Sequence, residues 1–523
     1  MKLTVLAWGV IAIALLVWHA GAQVAGYEVI DLGTISSAPG EQSSAWAIND
    51  LHEVAGSVTD ADGIRHAGLW LYCPNYGYSA RQWYDLTAEA GETALGEAFD
   101  INMSGVIVGR QVVSTSYGVL RAFIWNVGLG PMEFIELGTF AGGPATAGIA
   151  AAVSDASPAI VVGQAESSEW CTGAHHHAFM YHYGDRPSSL TLLGANGLDS
   201  YSIASGINNA VVPQAAGRST SELCTNHWCI ADQSAVRWEL DVPPTLSALP
   251  TSGAGLGARA WGINDAGNVV GQAAVVASPC ARHAAFWSSP SSAPVDLGSI
   301  GTLGSTLSIA YRVNEVASTG AVTVVGADAE LGLAYRWHRD GGGNWTSANL
   351  NTLISPLCGW NLVAAHDVSS DGWIVGDGWI TSAVGNHEYH GFLLRPITCP
   401  GDLDGSCSVD GLDLVALFSA WSCTYPCHLC LADANHDGDF DSFDLGVLLA
   451  GWGAACECWS CPIASRAASP DQSGQAAELI LLEGLQLLGS QSVADFNEQQ
   501  STRTEQERLQ ILDWLLIYLH ARN

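Results

Sequence analysis

Ala260-Trp-Gly-Ile-Asn-Asp-Ala-Gly-Asn-Val-Val-Gly271 places two short apolar runs on either side of Asn264-Asp265-Ala266-Gly267. Asn and Gly tolerate the positive φ of a tight hairpin, so the stretch reads as two antiparallel strands. His283-Ala-Ala-Phe-Trp287 and Val295-Asp-Leu-Gly298 follow, each aromatic or aliphatic and bounded by Gly, Pro and Ser, and supply a third and a fourth strand. The glycine closing the first stretch recurs as Gly56, Gly109, Gly163, Gly217, Gly271, Gly326 and Gly376, at intervals of 50 to 55 residues. A repeat of that length is a whole supersecondary unit, and four strands per unit make one propeller blade. The fold expected is all-β, a seven-bladed β-propeller.

The phase of the repeat predicts how the ring closes. Third-strand segments occur at 66–70, 121–125, 177–181, 234–238, 283–287, 334–337 and 390–394. Fourth-strand segments start near Val29, Tyr84, Ile135, Thr191, Thr245, Val295 and Asn349, so the first of them precedes every hairpin. The chain thus opens on a fourth strand and its last repeat ends on a third. Pairing of 27–34 with 391–394 would clasp the first and last repeats and leave no sheet edge open.

The repeat resembles the HAF-type extracellular repeat, whose signature is carried here by His177-Ala-Phe179, by the variants His66-Ala-Gly68, Arg121-Ala-Phe123 and His390-Gly-Phe392, by Gly301-Thr-Leu-Gly304, and by Ile263-Asn-Asp-Ala-Gly-Asn-Val-Val-Gly271. The resemblance covers about 27–395 and implies an exported β-rich domain with no agreed activity.

Export is also read from the start of the chain. Met1-Lys2, an apolar run from Leu3 to Trp18 and Ala20-Gly-Ala22 before Gln23 have the three regions of a secretory signal peptide over 1–22. The chain carries 18 Lys plus Arg against 51 Asp plus Glu, a formal charge of −33, and Lys2 is its only lysine. Such a balance argues against nucleic acid and anionic membranes, and favours divalent cations. Of the 14 cysteines, Cys73, Cys171, Cys224, Cys229, Cys280 and Cys358 fall in the propeller region. Cys399, Cys407, Cys423, Cys427, Cys430, Cys456, Cys458 and Cys461 follow it. In an exported chain they are expected to pair within each region. Cys427-His-Leu-Cys430 and Cys458-Trp-Ser-Cys461 also have zinc-ligand spacing, an alternative that disulfides outweigh in an oxidising compartment.

After Pro400 the repeat stops. Asp402-Leu-Asp-Gly-Ser-Cys-Ser-Val-Asp-Gly-Leu-Asp413 and Asp433-Ala-Asn-His-Asp-Gly-Asp-Phe-Asp-Ser-Phe-Asp444 are twelve-residue loops with oxygen side chains at alternating positions. Calcium takes six to eight oxygens, and such a loop wraps them around one point. The candidate ligands are Asp402, Asp404, Ser406, Ser408, Asp410 and Asp413 in the first loop, and Asp433, Asn435, Asp437, Asp439, Asp441 and Asp444 in the second. The second has Gly438 where a sharp turn is needed. In the first, Ser406 replaces a carboxylate and Cys407 the glycine, so the second loop should bind more tightly. Helical stretches Leu412 to Trp421 and Phe443 to Trp452 follow, with Leu414, Leu417, Phe418 and Trp421 or Leu445, Leu448, Leu449 and Trp452 on their apolar faces. The duplication resembles a type I dockerin and, with its cysteines and tryptophans, the dockerin-like tails of planctomycete secreted proteins. That resemblance implies a small all-α, calcium-folded module that docks on a cohesin-like protein partner. Hydroxyl residues used by the family at positions 10 and 11 correspond here to Gly411, Leu412, Ser442 and Phe443.

The expected organisation is signal peptide 1–22, propeller 23–397, dockerin-like domain 398–461, Ser/Ala/Pro/Gln linker 462–475 and helical tail 476–523. The tail includes 502–520, opened by the capping box Thr502-x-x-Glu505. Its run 509–519 contains Asp513 and is too short to span a bilayer.

Three catalytic constellations are weighed. His175-His176-His177 with His182 has the residues of a transition-metal site, but His177 occupies the ordinary His position of the repeat, with His66, His283 and His390, where a bond to a neighbouring strand is expected. Asp50, Asp155, Asp265, Glu315 and Asp371 recur near one hairpin, and a residue that recurs in blade after blade serves the turn. Trp46, Trp70, Trp125, Trp238, Trp261, Trp287 and Trp337 fall at repeat positions and are expected mostly in the core. The chain has no Gly-x-Ser-x-Gly elbow, no sialidase-type aspartate box and no His-Glu-x-x-His. The reading favoured is a secreted, non-catalytic binding or scaffold protein whose propeller presents a ligand surface, for example to a glycan, and whose calcium module tethers it. The alternative is an extracellular carbohydrate-active O-glycosyl hydrolase, with carboxylates at the channel.

Overall fold

The computed structural model describes residues 26–453, apart from segments between strands, the longest being 135–147 and 221–232, and apart from 404–407, 422–431 and 436–441. The signal peptide, linker and helical tail expected at 1–22, 462–475 and 476–523 lie outside the described residues. Seven antiparallel four-stranded sheets form the blades, each strand A to strand D from the axis outward. Each strand A touches the strand A of the next blade, and the seventh touches the first, so the ring is closed.

The clasp forms as the phase of the repeat predicts. Tyr27–Asp31 is the outer strand of blade 7 and pairs antiparallel with strand C, His387–Pro396, with Ile30 opposite Leu393. Arg336 of blade 6 donates to the Tyr27 hydroxyl at 2.8 Å and lies over its ring, fixing the clasp to the adjacent blade as well. Two boundaries differ. Strand D of blade 2 is Glu133–Phe134, ending just before its expected start near Ile135. Strand D of blade 6 is Trp345–Asn349, ending where the sequence predicted it to start, because Asn349 caps a 3₁₀ turn at Leu350–Thr352.

The motif residues have separate tasks. Each inner hairpin has a β-bulge at the same place, between Ala45 and Ala47, Ala98 and Asp100, Ala150 and Ala152, Ala204 and Gly206, Ala260 and Gly262, Ala310 and Arg312, and Ala365 and Asp367, and blade 7 has a second between Leu362 and Ala364. The seven repeat glycines stand opposite the alanine that opens each bulge. A Cβ on Gly217, Gly271 or Gly326 would lie 1.9 Å from a strand A carbonyl oxygen, and on the other four 2.0 or 2.1 Å. Glycine is required there by backbone approach. The hairpin asparagine closes its own turn and bonds the next: Asn264 Oδ1 accepts from Asn268 N at 2.9 Å, and its Nδ2 donates to Asn314 O at 2.9 Å. Asn49 to Asn102, Asn102 to Ser154 and Asn208 to Asn264 repeat the inter-blade bond.

The His of strand C meets the Asp of the Asp-Leu-Gly segment on strand D of the same blade. His283 Nδ1 lies 2.9 Å from Asp296, His390 Nδ1 2.9 Å from Asp31, and His66 Nδ1 3.2 Å from Asp85. The Leu is buried at Leu32, Leu86, Leu297 and Leu350. Trp70, Trp125, Trp238, Trp287 and Trp337 are core between blades, as expected. Trp287 and Trp337 also donate their indole N–H to the preceding blade, at Pro250 O and Leu297 O.

In the C-terminal part, α1 (Gly411–Trp421) and α2 (Ser442–Ala450) pack through buried Leu414, Leu417, Leu445 and Leu448 with Val409 and Cys399. No described helix is long and apolar enough to cross a membrane.

Candidate functional site in the propeller channel

Each of the seven equivalent bulges leaves one strand A residue without a partner across the ladder, at the innermost layer of the ring. These residues are Trp46, Phe99, Ala151, Ser205, Trp261, Tyr311 and His366. The five rings are neighbours in blade order: Trp261 to Tyr311 at 6.2 Å, Tyr311 to His366 at 5.3 Å, His366 to Trp46 at 4.4 Å and Trp46 to Phe99 at 6.2 Å between centroids. They form an arc across blades 5, 6, 7, 1 and 2. Blades 3 and 4 put only Ala151 and Ser205 opposite it, so one side of the channel is aromatic and the other small. An arginine stands over each end of the arc, Arg218 5.4 Å from the Trp261 ring and Arg110 5.4 Å from the Phe99 ring. Trp46 and Trp261 are half-buried, the two of the seven repeat tryptophans that stand outside the core. The bulge interrupts the in-out alternation, so a repeat tryptophan at the bulge faces the axis while one on strand C faces a neighbouring sheet.

The next residue along each strand A is Ala47, Asp100, Ala152, Gly206, Gly262, Arg312 and Asp367. Four are small and three are charged, so this layer breaks the repeat. Asp100 Oδ2 accepts from Val153 N at 2.8 Å and Oδ1 from Ile101 N at 3.0 Å. Asp367 does the same with Ile48 N at 3.0 Å and Val368 N at 2.8 Å. Arg312 donates to Trp261 O at 3.0 Å and lies 3.9 Å from Asp367. Burial pushes the Asp100 carboxyl up to about 7, against the pull of Arg312 and with the nearby Asp367 adding to the rise. Burial likewise raises Asp367, opposed by Arg312.

The recurring turn carboxylates form a second ring. Asp155 accepts from Met103 N at 2.7 Å, Glu315 from Asp265 N at 2.9 Å, and Asp50 from Ser370 N at 2.8 Å; Asn209 N donates to Asp265. Each therefore serves the turn of an adjacent blade. Asp371 differs: it accepts from Ser369 Oγ and lies 3.0 Å from His52. Burial, then the Asp265, Asp50 and Asp155 charges, push Glu315 up to about 7. His177 is half-buried on strand C of blade 3, whose outer strand has Leu192 at the register position of the aspartate; the side chains of His175 and His176 lie outside the described residues.

Of the twelve expected calcium ligands, Asp404, Ser406, Asp437, Asp439 and Asp441 lie outside the described residues. Asp413, Asp433 and Asp444 are fully buried, while Asp402, Ser408, Asp410 and Asn435 are half-buried. In both loops the twelfth-position carboxylate reaches back to the loop start: Asp413 accepts from Leu403 N at 2.6 Å and Asp410 N at 2.7 Å, and Asp444 from Asn435 N at 3.3 Å. These oxygen-only donors, buried at positions 1 and 12 of the second loop, fit a hard cation. No metal-holding group of three or more His, Cys, Asp or Glu occurs among the described residues. Sequence reasoning missed Ser355, whose hydroxyl donates to Asp433 and so joins the connection between blades 6 and 7 to the second loop.

No protein-family model and no curated protein matches the chain. Similar solved structures include the β-propeller domain of the Trilobed protease from Pyrococcus furiosus, 11% identical over 69% of this chain and 96% of that one, with a TM-score of 0.41. The Aleuria aurantia lectin, seen in complex with Fucalpha1-6GlcNAc, is 12% identical over 58% and 94%, with a TM-score of 0.28. An α-L-arabinofuranosidase from Fusarium graminearum is 8% identical over 56% and 90%, with a TM-score of 0.33.

Proposed function

We propose that the chain is a secreted, non-catalytic binding protein whose propeller channel holds a saccharide and whose dockerin-like module, folded by calcium, tethers it to a protein partner. The observation that carries this reading is the arc of Trp261, Tyr311, His366, Trp46 and Phe99 facing Ala151 and Ser205. Aromatic faces opposite small residues offer stacking area and room together, the arrangement a sugar ring needs. The HAF-like repeats and signal-peptide-like start support export, which in turn supports disulfide pairing of the cysteines. Of these, Cys73, Cys358 and Cys399 are described. Asp402, Asp404, Ser406, Ser408, Asp410, Asp413, Asp433, Asn435, Asp437, Asp439, Asp441 and Asp444 would hold two calcium ions.

The hydrolase reading draws on Asp100 and Asp367, two carboxylates that break the repeat inside the channel. Their oxygens accept backbone N–H groups of strands A. Carboxylates so engaged hold neighbouring strands in place and are poorly placed to pass a proton to a glycosidic oxygen. This favours binding. Calorimetry of the full chain against a saccharide panel tests it: a bound saccharide should weaken about tenfold or more on Trp46→Ala, with the sugar recovered intact. Release of reducing ends, abolished by Asp100→Asn, would support the hydrolase instead.

A further inference from the structure

The layer of strand A on the far side of the aromatic arc from the turns carries Ser44, Glu97, Ile149, Ile203, Arg259, Ile309 and Ala364. In blade 2 the charge there is balanced. Glu97 lies 2.6 Å from Arg65 and 2.5 Å from Arg110. In blade 5 the same position is Arg259, so an arginine replaces the carboxylate that would neutralise its neighbours. Arg218, on strand B of blade 4, and Arg282, on strand C of blade 5, both lie close enough to repel it. Of the other arginines, Arg65, Arg110, Arg237, Arg312 and Arg395 each have a carboxylate partner, while Arg81 lies over Tyr72, Arg336 donates to the Tyr27 hydroxyl and Arg339 to Gly320 O. Arg218, Arg259 and Arg282 pair with none among the described residues. Arg259 donates to the neutral Gln233 side chain, Arg218 covers Trp261, and the Arg282 Nε is buried with no hydrogen-bond partner.

Three guanidinium groups gathered with no counter-charge among the described residues, in a chain with 51 acidic residues, cost stability through repulsion and desolvation. Burial, then Arg218 and Arg282, bring the Arg259 guanidinium down to about 10. An arrangement that destabilises the empty protein is what a site for a charged ligand looks like before the ligand arrives. Guanidinium forks match oxyanions in two parallel bonds.

We propose that Arg218, Arg259 and Arg282 form a socket for the oxyanion of an acidic saccharide, a uronate carboxylate or a sulfate ester, whose sugar ring lies beside Trp261 in the aromatic arc. This rests on the channel reading above and names its ligand class. Neutral saccharides are then poor ligands, and affinity falls with salt.

The test is calorimetry on the full chain with three tetrasaccharides, one of hexuronates, one sulfated and one neutral, and with inorganic sulfate. The expected result is binding of at least one acidic saccharide, whichever oxyanion it bears, with a loss of about tenfold or more on Arg259→Gln and on Arg282→Gln. In the absence of ligand either variant should melt no lower than the wild type, since relief of repulsion replaces a lost contact; a purely structural arginine would lower the melting temperature. Equal binding of acidic and neutral saccharides, or affinities within twofold of wild type in both variants, overturns the socket. So does binding of sulfate alone. A neutral saccharide whose binding Trp46→Ala abolishes would sink the socket and leave the channel reading standing, whereas no saccharide binding at all sinks both.

Discussion

Gly217 shows how one atom governs a blade. A Cβ there would lie 1.9 Å from the Ile203 carbonyl oxygen, and because the obstacle is backbone, neither side can turn away. Gly217→Ala should cost about 3 kcal/mol, the upper part of the usual range for overpacking, measured by urea denaturation; a loss under about 1 kcal/mol would show that the bulge yields. The glycines were legible in the sequence because their role is identical in every repeat. The channel residues were not, because identity of role is what they lack. Aligning the seven hairpins on Asn49, Asn102, Ser154, Asn208, Asn264, Asn314 and Ser369 puts Trp46, Phe99, Ala151, Ser205, Trp261, Tyr311 and His366 in one column. That column varies between Trp and Ala while its neighbour is Ala throughout. Variation inside a repeat was the available signal. Glu315 carries a prediction of its own. Its carboxyl is raised from 4.5 to about 7, so the folded state holds the proton more tightly than the unfolded chain. The stability this contributes is complete below about 4.5 and is lost as the pH climbs through about 7. Glu315→Gln should flatten that decline in a series of melting curves between these limits, and an unchanged slope would refute the assignment.

At the scale of the strand, the out-of-phase start of the repeat was enough to place Tyr27–Asp31 beside His387–Pro396. Out-of-phase closure needs no knowledge of side-chain packing, only a count of strands. The outer strands were harder to place, since Glu133–Phe134, Thr191–Leu192 and Val295–Asp296 are two residues long and their limits depend on turns. Leu32 N donates to Gly391 O, and Ile30 shares its parity, so the Ile30 N–H faces the partner strand. Ile30→Pro should remove a ladder bond and cost about 3 kcal/mol. Amides of strand C in blade 7 should then exchange with solvent faster than those of blades 3 to 5. Uniform protection across all blades would argue that the clasp contributes little.

On the whole molecule, chelation separates the two regions. If calcium fills the loops 402–413 and 433–444 as proposed, its removal should leave their carboxylates repelling one another, so that the helices α1 and α2 melt while the blades persist. Circular dichroism and limited proteolysis with and without chelator would record it, and equal protease resistance of 400–455 in both conditions would count against calcium. The spacing singled out Asp413, Asp433 and Asp444, which are buried, whereas the Ser355 bond to Asp433 was not legible, because 78 positions separate the two residues. Distance along the chain has a further consequence at the clasp. His390 and Asp31 are 359 positions apart, so the first strand of the propeller must wait for every other blade strand to be made before it acquires its partner. Bringing such remote ends together costs only about 2 kcal/mol more than closing a segment of fifty residues, since the penalty grows with the logarithm of length. The delay is therefore one of synthesis time more than of free energy, and until His387–Pro396 has been made the nascent propeller is an incomplete wheel with a bare flank.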